Sequence, residues 1–458
     1  MKKITNLFEY QNKVHLDESF DELESFLDEI WQKREKCTYF NSSEDEYMES
    51  QKFIQFLHKT KEIKSNKYVG VIYCDNQKIN LLPKIFFDSR LEYTVNQINQ
   101  INNHILWWLS YCRKIRFPNY QTELGGTKGD FFEVLIYLFS KYTRELLNNS
   151  IYQQYEEINR EVPFMKGRLN TNEYIKENLS KGNWHKLNCN YDSFELDNEF
   201  NRMIKFVATL LFNITNNVDN KKNLREILFV LDEVSDIRVS ALQCSRIKFN
   251  PMFEQFEIVR DYCLLFLINS ITFDYKNNLK LFAFLLPMEY LFEDFIFGFI
   301  KKEIPSISIK SQRKDVFLDE EKTFQIQPDL FLFSSNGNII IDSKYKIIYS
   351  NSHDSKKGVS QTDLYQMLAY AIRFKVNDVY LFYPNNIINP EVNPIGTEFV
   401  ISDELAYQQK IKISAYQLPI INHSILQSTN NEADTLEQIF QPIRIELIKR
   451  LDIILNKN

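Results

Sequence analysis

Paired cysteines are missing from this sequence. The six it has, Cys37, Cys74, Cys112, Cys189, Cys244 and Cys263, stand far apart, with no C-x-x-C and no histidine at zinc-ligand spacing. That excludes a zinc ribbon or a disulfide framework and leaves reduced core thiols. An unbroken apolar run is missing too. The most apolar stretch, Leu279 to Ile300, is interrupted by Pro287, Glu289, Glu293 and Asp294, which suits a buried helix and not a bilayer centre. The N-terminus, Met-Lys-Lys-Ile-Thr-Asn-Leu-Phe-Glu, turns acidic before the apolar core of a signal peptide can form, so a cytoplasmic protein without membrane contact is expected. Positive charge is not in excess. With a formal net charge of −6 and a pI near 5.7, the chain does not grip nucleic acid by charge alone. Finally, there is no phosphate loop, because Gly125-Gly126-Thr127-Lys128 lacks the G-x-x-x-x-G-K-[ST] spacing and reads as a turn.

What is present is enough chain, 458 residues, for two or three domains without repeats or low-complexity linkers. The expected class is mixed, α+β. Residues 1–66 carry helix-like periodicity (Phe20, Leu23, Phe26, Leu27, Ile30, Trp31), followed by two β-rich runs, Tyr68 to Ile72 and Lys78 to Leu82, around a polar turn and closed by Pro83. Helical spacing covers 91–109 and 131–147, a short strand-like run covers 162–169, and Asp197 reads as the N-cap of a helix through Phe212. Further helices fit 224–234 and 252–268, so the chain to about residue 275 reads as mostly helical with small β elements. After Pro287 the order becomes helix 288–301, strands 306–318, 324–333 and 338–346, helix 362–374 and strand 378–383, an α-β-β-β-α-β core, with a last helix over 433–455. A boundary at 275/276 is therefore expected.

The chemistry lies in this second part. Asn336-Gly337 supplies the backbone of a tight turn, so the two strands that carry Asp329 and Asp342 are antiparallel neighbours. Each aspartate sits among residues that prefer burial, and a buried carboxylate needs a compensating charge. Alternation along a strand sends Asp342 and Lys344 to one face and Ser343 to the other, and pairing brings Asp329 beside them. Two carboxylates and an ammonium suit a hard divalent cation that a phosphate can share. The expected roles are Asp329 and Asp342 as ligands of Mg²⁺, and Lys344 to orient or deprotonate the attacking water or to stabilise the phosphoryl oxygens. Gln366 and Tyr370, at i and i+4 on the next helix, share a face that can meet the DNA backbone or brace the lysine. Glu293 flanks the apolar stripe of the preceding helix and can reach the metal.

The set Pro328-Asp329, Asp342-Ser343-Lys344 and Gln366-Met-Leu-Ala-Tyr370 resembles the PD-(D/E)XK nuclease superfamily. Asp342-Ser-Lys-Tyr-Lys346 with Asp363-Leu-Tyr-Gln-Met-Leu-Ala-Tyr370 looks like the McrC family, the nuclease subunits of McrBC-type modification-dependent restriction systems. Val69-Gly-Val-Ile72, Leu82-Pro-Lys-Ile85, Lys166-Gly-Arg-Leu169, Cys189-Asn-Tyr-Asp-Ser-Phe194, Asn201-Arg202 and Met288-Glu-Tyr-Leu-Phe-Glu293 agree, so the resemblance spans roughly 65 to 385. It implies a phage-defence endonuclease subunit that acts on modified DNA. Residues 1–275 would dock into a ring of the AAA+ GTPase McrB and stimulate its GTP hydrolysis. Residues 276–458 would form the nuclease, and self-association within the complex stays open. Ser343 stands where the family often has alanine, on the face away from the metal.

Plainer readings exist for each feature. The aspartates and lysine can be strand-edge salt bridges, Tyr370 can merely pack, and Glu293 can merely answer a helix dipole. Lys310, Arg313, Lys314, Lys356 and Lys357 are ordinary exposed cations as readily as phosphate contacts, and Arg168 suits a partner surface or a local carboxylate equally. Two rival functions remain, a GTPase-activating adaptor with a structural nuclease fold and a repair-type nuclease that acts alone.

Overall fold

The computed structural model describes residues 3–16, 20–33, 53–74, 77–112, 131–272, 281–311, 316–333, 338–348, 354, 356–389, 396–402, 410–424 and 435–455. The chain divides into two compact units, Met1–Leu135 with Ile268–Asn458, and Ile136–Leu267. This differs from a boundary at 275, because the first part of the chain folds with the last and the middle forms a unit of its own.

The first unit opens with β1 (Lys3–Phe8), β2 (Lys13–His15), α1 (Phe20–Lys33), β3 (Ile54–Leu57), β4 (Glu62–Ser65), β5 (Tyr68–Cys74), β6 (Gln77–Leu82) and α2 (Val95–Leu109). The expected hairpin is present as β5 and β6, paired from Gly70↔Leu81 to Cys74↔Gln77. The purely helical reading of residues 1–66 is corrected. Only α1 realises it, and strands of three to six residues surround it, too short to leave a period in the sequence. The apolar face of α1 (Phe20, Leu23, Leu27, Trp31) packs with Leu7, Ile63, Ile72 and Ile79.

The second unit takes most of α3 (Phe131–Asn149), then β7 (Gln154–Val162), β8 (Arg168–Leu169), the single turn α4 (Thr171–Glu173), β9 (Leu187–Glu195), α5 (Glu199–Ile214), α6 (Val218–Val230), α7 (Ala241–Arg246) and most of α8 (Phe256–Asn269). β7 and β9 form a long antiparallel ribbon. Asn198, not Asp197, caps α5, its Oδ1 accepting from the Asn201 N–H at 3.0 Å. Asp197 instead pairs with Arg202 at 2.7 Å and accepts from the Ser235 hydroxyl.

The chain then returns to the first unit with β10 (Ser270–Thr272), β11 (Leu281–Pro287), α9 (Met288–Glu303), β12 (Ser308–Ser311), β13 (Val316–Phe317), β14 (Gln325–Ile326), β15 (Leu330–Phe333), β16 (Ile339–Ser343), α10 (Gln361–Phe374), β17 (Asp378–Pro384), β18 (Thr397–Ser402), β19 (Lys410–Leu418) and α11 (Leu436–Leu455). The apolar stretch 279–300 is corrected from one helix to strand then helix. Pro287 ends β11 opposite Tyr68 and takes the N-cap of α9, where a missing N–H costs nothing. β11 and β10 join the first sheet, whose order is β1-β6-β5-β11-β10. Gly70 lets β5 approach β11 closely, since a Cβ there would lie 1.9 Å from the Phe284 carbonyl oxygen.

The second sheet, β12-β15-β16-β17-β19-β18, contains the expected α-β-β-β-α-β order and extends it by β18 and β19, which the sequence reading did not place. The run 306–318 is two short strands, β12 in the sheet and β13 paired with β14. α10 covers one face, with Met367, Tyr370 and Ala371 packed on Ile340, Val379, Leu381 and Ile413. The turn residues 334–337 and Gly125-Gly126 lie outside the described residues. Among the described residues no helix is long and apolar enough to cross a membrane, and Cys112, Cys189, Cys244 and Cys263 are free and buried.

Candidate active site

β15 and β16 are antiparallel, with Leu330 opposite Ile341 and Phe331 opposite Ile340. One step beyond Leu330 the same register sets Asp329 against Asp342. The Asp329 Oδ2 accepts the Ser343 N–H at 2.7 Å, which holds its carboxyl at the rim of the hairpin. Ile340 faces α10, so alternation turns Asp342 and Lys344 to that side as well. Asp342 is buried, and the Lys344 Nζ lies 2.7 Å from its Oδ2. The backbone of Lys344 is fixed in turn, its N–H donating to the Phe382 carbonyl at 2.8 Å.

From Lys344 a chain of hydrogen bonds runs along α10. The ammonium donates to Gln366 Oε1 at 3.0 Å, Gln366 Nε2 donates to the Tyr370 oxygen at 2.7 Å, and the Tyr370 hydroxyl donates to the Gln327 carbonyl at 3.1 Å. Gln327 is two residues before Asp329, so the relay ties both arms of the carboxylate hairpin to one helix face. Of the two roles expected for Gln366 and Tyr370, the geometry favours bracing the lysine.

Burial pushes Asp329 well above the usual carboxylate range, and the neighbouring Asp342 and Glu293 push it further, against the Ser343 N–H and Lys344. Burial likewise raises Asp342, with Lys344 pulling it down. For Lys344, burial opposes the charge, but Asp342 and Asp329 outweigh it and hold the ammonium above its ordinary value. In this arrangement the ammonium is ion-paired with Asp342 and donates to Gln366.

Glu293, half-buried on α9, is close enough to raise Asp329. Asp329, Asp342 and Glu293 thus form one acidic neighbourhood beside Lys344, and their oxygen donors are of the kind that could hold a hard divalent cation.

A neighbouring pair was not assigned a role from the sequence. Lys346 donates to both oxygens of buried Asp363 at 2.7 and 2.9 Å, and the Tyr383 hydroxyl donates to Oδ2 at 3.3 Å. Asp363 also raises the pKa of Asp342 and of Lys344. Its signal was available, since Asp363 precedes Gln366 by one helical turn and Lys346 follows Lys344 by one strand repeat.

Lys310, Lys356, Lys357 and Arg168 are exposed, and Arg313 and Lys314 lie outside the described residues. Among the described residues the three metal-type ligand atoms that lie within 4.8 Å of one another belong to Asp21, Glu24 and His58, of which Glu24 pairs with His58 at 3.2 Å and Asp21 with Lys61 at 3.0 Å.

A family model described as McrBC 5-methylcytosine restriction system component matches residues 63–384. The fold is similar to a solved structure described as a refined half-complex from a tetradecameric assembly of Thermococcus gammatolerans McrB AAA+ hexamers with bound McrC. That match has a TM-score of 0.62 and 17% identity, and covers 96% of this chain and 100% of that one. A second, the cryo-EM structure of the Thermococcus gammatolerans McrBC complex, aligns with a TM-score of 0.48 and 20% identity over 66% of this chain and 88% of that one. No curated protein matches the sequence.

Proposed function

The chain belongs to the family of McrBC 5-methylcytosine restriction system components, and from that premise we propose that it is the endonuclease subunit, hydrolysing DNA phosphodiester bonds with Mg²⁺. The observation that carries the reading is the meeting of Asp329, Asp342 and Lys344 at the rim of one hairpin.

In this reading Asp329 and Asp342 hold the cation, with Glu293 as a further oxygen donor from α9. The bound ion acidifies a water and polarises the scissile phosphate. Lys344 spends two of its three N–H donors on Asp342 and Gln366, and the third points the charge at a phosphoryl oxygen as it gains electron density. Gln366 and Tyr370 hold that ammonium in place, so the geometry exists before DNA arrives.

The acidic chain needs help to hold DNA, and the solved neighbour described as McrB AAA+ hexamers with bound McrC suggests the helper. We take the partner to be an AAA+ GTPase ring that this chain docks into and stimulates. The second unit has a surface suited to docking, with Tyr155, Phe164, Met165, Trp184 and Phe194 all exposed on or beside the β7–β9 ribbon. The adaptor-only alternative leaves the clustered carboxylates without a purpose.

Asp342→Asn in the assembled complex tests the proposal. Cleavage of methylated plasmid should be lost while stimulated GTP turnover persists. Cleavage at the wild-type rate would refute the nuclease assignment, and cutting by the chain without any partner would favour a repair-type enzyme.

A further inference from the structure

The first sheet reaches the strand of the proposed site through one buried acid. Glu9, the residue after β1, has no exposed surface. Its N–H donates to the Leu82 carbonyl at 3.0 Å, and its Oε2 accepts the Lys84 N–H at 3.1 Å. Its carboxyl lies beside the Tyr345 hydroxyl, which the Ile85 N–H also approaches, and among the described residues neither Glu9 Oε1 nor the Tyr345 hydroxyl has a well-formed hydrogen bond.

Tyr345 follows Lys344 directly and is buried. Its ring is held by the Lys84 Nζ, 4.5 Å from the centroid, and by Phe292 of α9 at 5.9 Å. The same 83–86 turn takes a second hold on the nuclease sheet, the Ile85 carbonyl accepting from the Ile387 N–H at 2.9 Å just after β17. Apolar side chains would fill this space at less cost than a carboxyl and a phenol. A hydrogen bond from the phenol to the carboxylate offsets the cost of burying both.

We infer that Glu9 and Tyr345 are a positioning pair, in which the carboxylate at the end of β1 anchors the tyrosine hydroxyl and so fixes the backbone that presents Lys344. The inference rests on the nuclease reading of the site, and adds that the N-terminal sheet sets how well that site is assembled.

The groups that bear on Glu9 are Lys84, which favours its charge, Glu289 at the start of α9, which opposes it, and Tyr345 and Tyr10. Burial dominates and pushes Glu9 up to about 7. The anchor is therefore a full carboxylate only above neutrality.

The test uses the full chain with its ring partner, methylated plasmid and Mg²⁺, comparing Glu9→Gln, Tyr345→Phe and the double variant, with Asp342→Asn as the control. Each single change should lower kcat about tenfold without raising KM or lowering the Tm, and the double should be no worse than the worse single. Both should also alter the acidic limb of the kcat profile. In the chain without DNA, amide exchange over 343–348 should quicken about tenfold in both singles while 378–384 stays unchanged. Wild-type kcat, additive losses, or unchanged exchange over 343–348 overturns the pair even where Asp342→Asn abolishes cleavage. Cleavage that survives Asp342→Asn overturns both readings, since Tyr345 then has no catalytic lysine to place.

Discussion

Glu9 at the end of β1 and Asp342 at the end of β16 are both buried carboxyls that burial pushes above the ordinary range, yet their surroundings differ. Around Glu9 the neighbours are a backbone N–H, a phenol and the lysine over that phenol, so the acid closes a joint. Around Asp342 the carboxyls of Asp329 and Asp363 crowd in, and the ammoniums of Lys344 and Lys346 oppose them. Burial of an acid is thus no mark of a catalytic site in this fold. The mark is a cluster of acids and lysines held rigid by a relay, and the two sheets separate the cases within one unit.

The sharpest break between them is Lys344→Ala. Cleavage should fall by about 10²–10⁴-fold, because the charge that meets the phosphoryl oxygens is gone. Lys346→Ala, one strand repeat further on, should cost less than about tenfold, since its exposed ammonium answers Asp363 and not the reacting group. Equal losses in a plasmid-cleavage assay would mean that the two ion pairs form one site and the distinction drawn above is wrong.

On the other sheet the corresponding break is in stability. Gly70→Ala sets a Cβ 1.9 Å from the Phe284 carbonyl oxygen, which belongs to the backbone of β11 and cannot swing away. Loss of about 2–4 kcal/mol is expected in chemical denaturation, with cleavage per folded molecule retained. A stable variant with poor cleavage would instead show that the β5–β11 contact, and not only the Glu9–Tyr345 pair, bears on how the site is assembled.

The same contrast explains what could be read from sequence. β15 and β16 lie close together in the chain, so their pairing, and with it the meeting of Asp329 with Asp342, was legible from alternation along the two strands. β1 pairs in parallel with β6, from Lys3↔Gln77 to Phe8↔Leu82, and β11 adds from beyond residue 280. Pairings of that separation leave no local period, which is why residues 1–66 read as helix and why Glu9 carried no signal. Asp363 and Lys346 stand inside the motifs that carry the family resemblance, yet nothing local in the sequence pairs them. Only the distance between them does. Asp197 and Asn198 are adjacent residues of equal capping preference, and the choice between them was made by Arg202, which takes Asp197 away.

A third way to sharpen the comparison uses pH and stability. Glu9 holds its proton to about 7 in the folded chain against 4.5 ordinarily. Between those values the native state binds more protons than the unfolded one, so this residue's stabilisation is complete below about 4.5 and is lost as pH rises through 7. The loss is on the order of 3 kcal/mol. Denaturation of wild type and Glu9→Gln across pH 5 to 8 should therefore converge at low pH and separate at high pH, with the variant the more stable. Parallel curves would show that Glu9 is already neutralised by Lys84.

The smallest effect tests whether the relay matters at all. Tyr370→Phe removes one hydroxyl, which joins Gln366 to the Gln327 carbonyl, and leaves the ring in its place among Phe331, Ile340 and Met367. The lost bond should cost about 1 kcal/mol of stability. Gln366 keeps its oxygen toward Lys344 but loses the constraint on its amide, so the ammonium samples more positions and cleavage falls about three- to tenfold. Metal affinity, measured with Mn²⁺ by calorimetry, should barely move, because Asp329 and Asp342 are held by the Ser343 N–H and the sheet and not by the tyrosine. A drop in Mn²⁺ affinity as large as the drop in rate would mean that Tyr370 positions the carboxylates, and the order of support would then run from helix to hairpin and not from hairpin to helix.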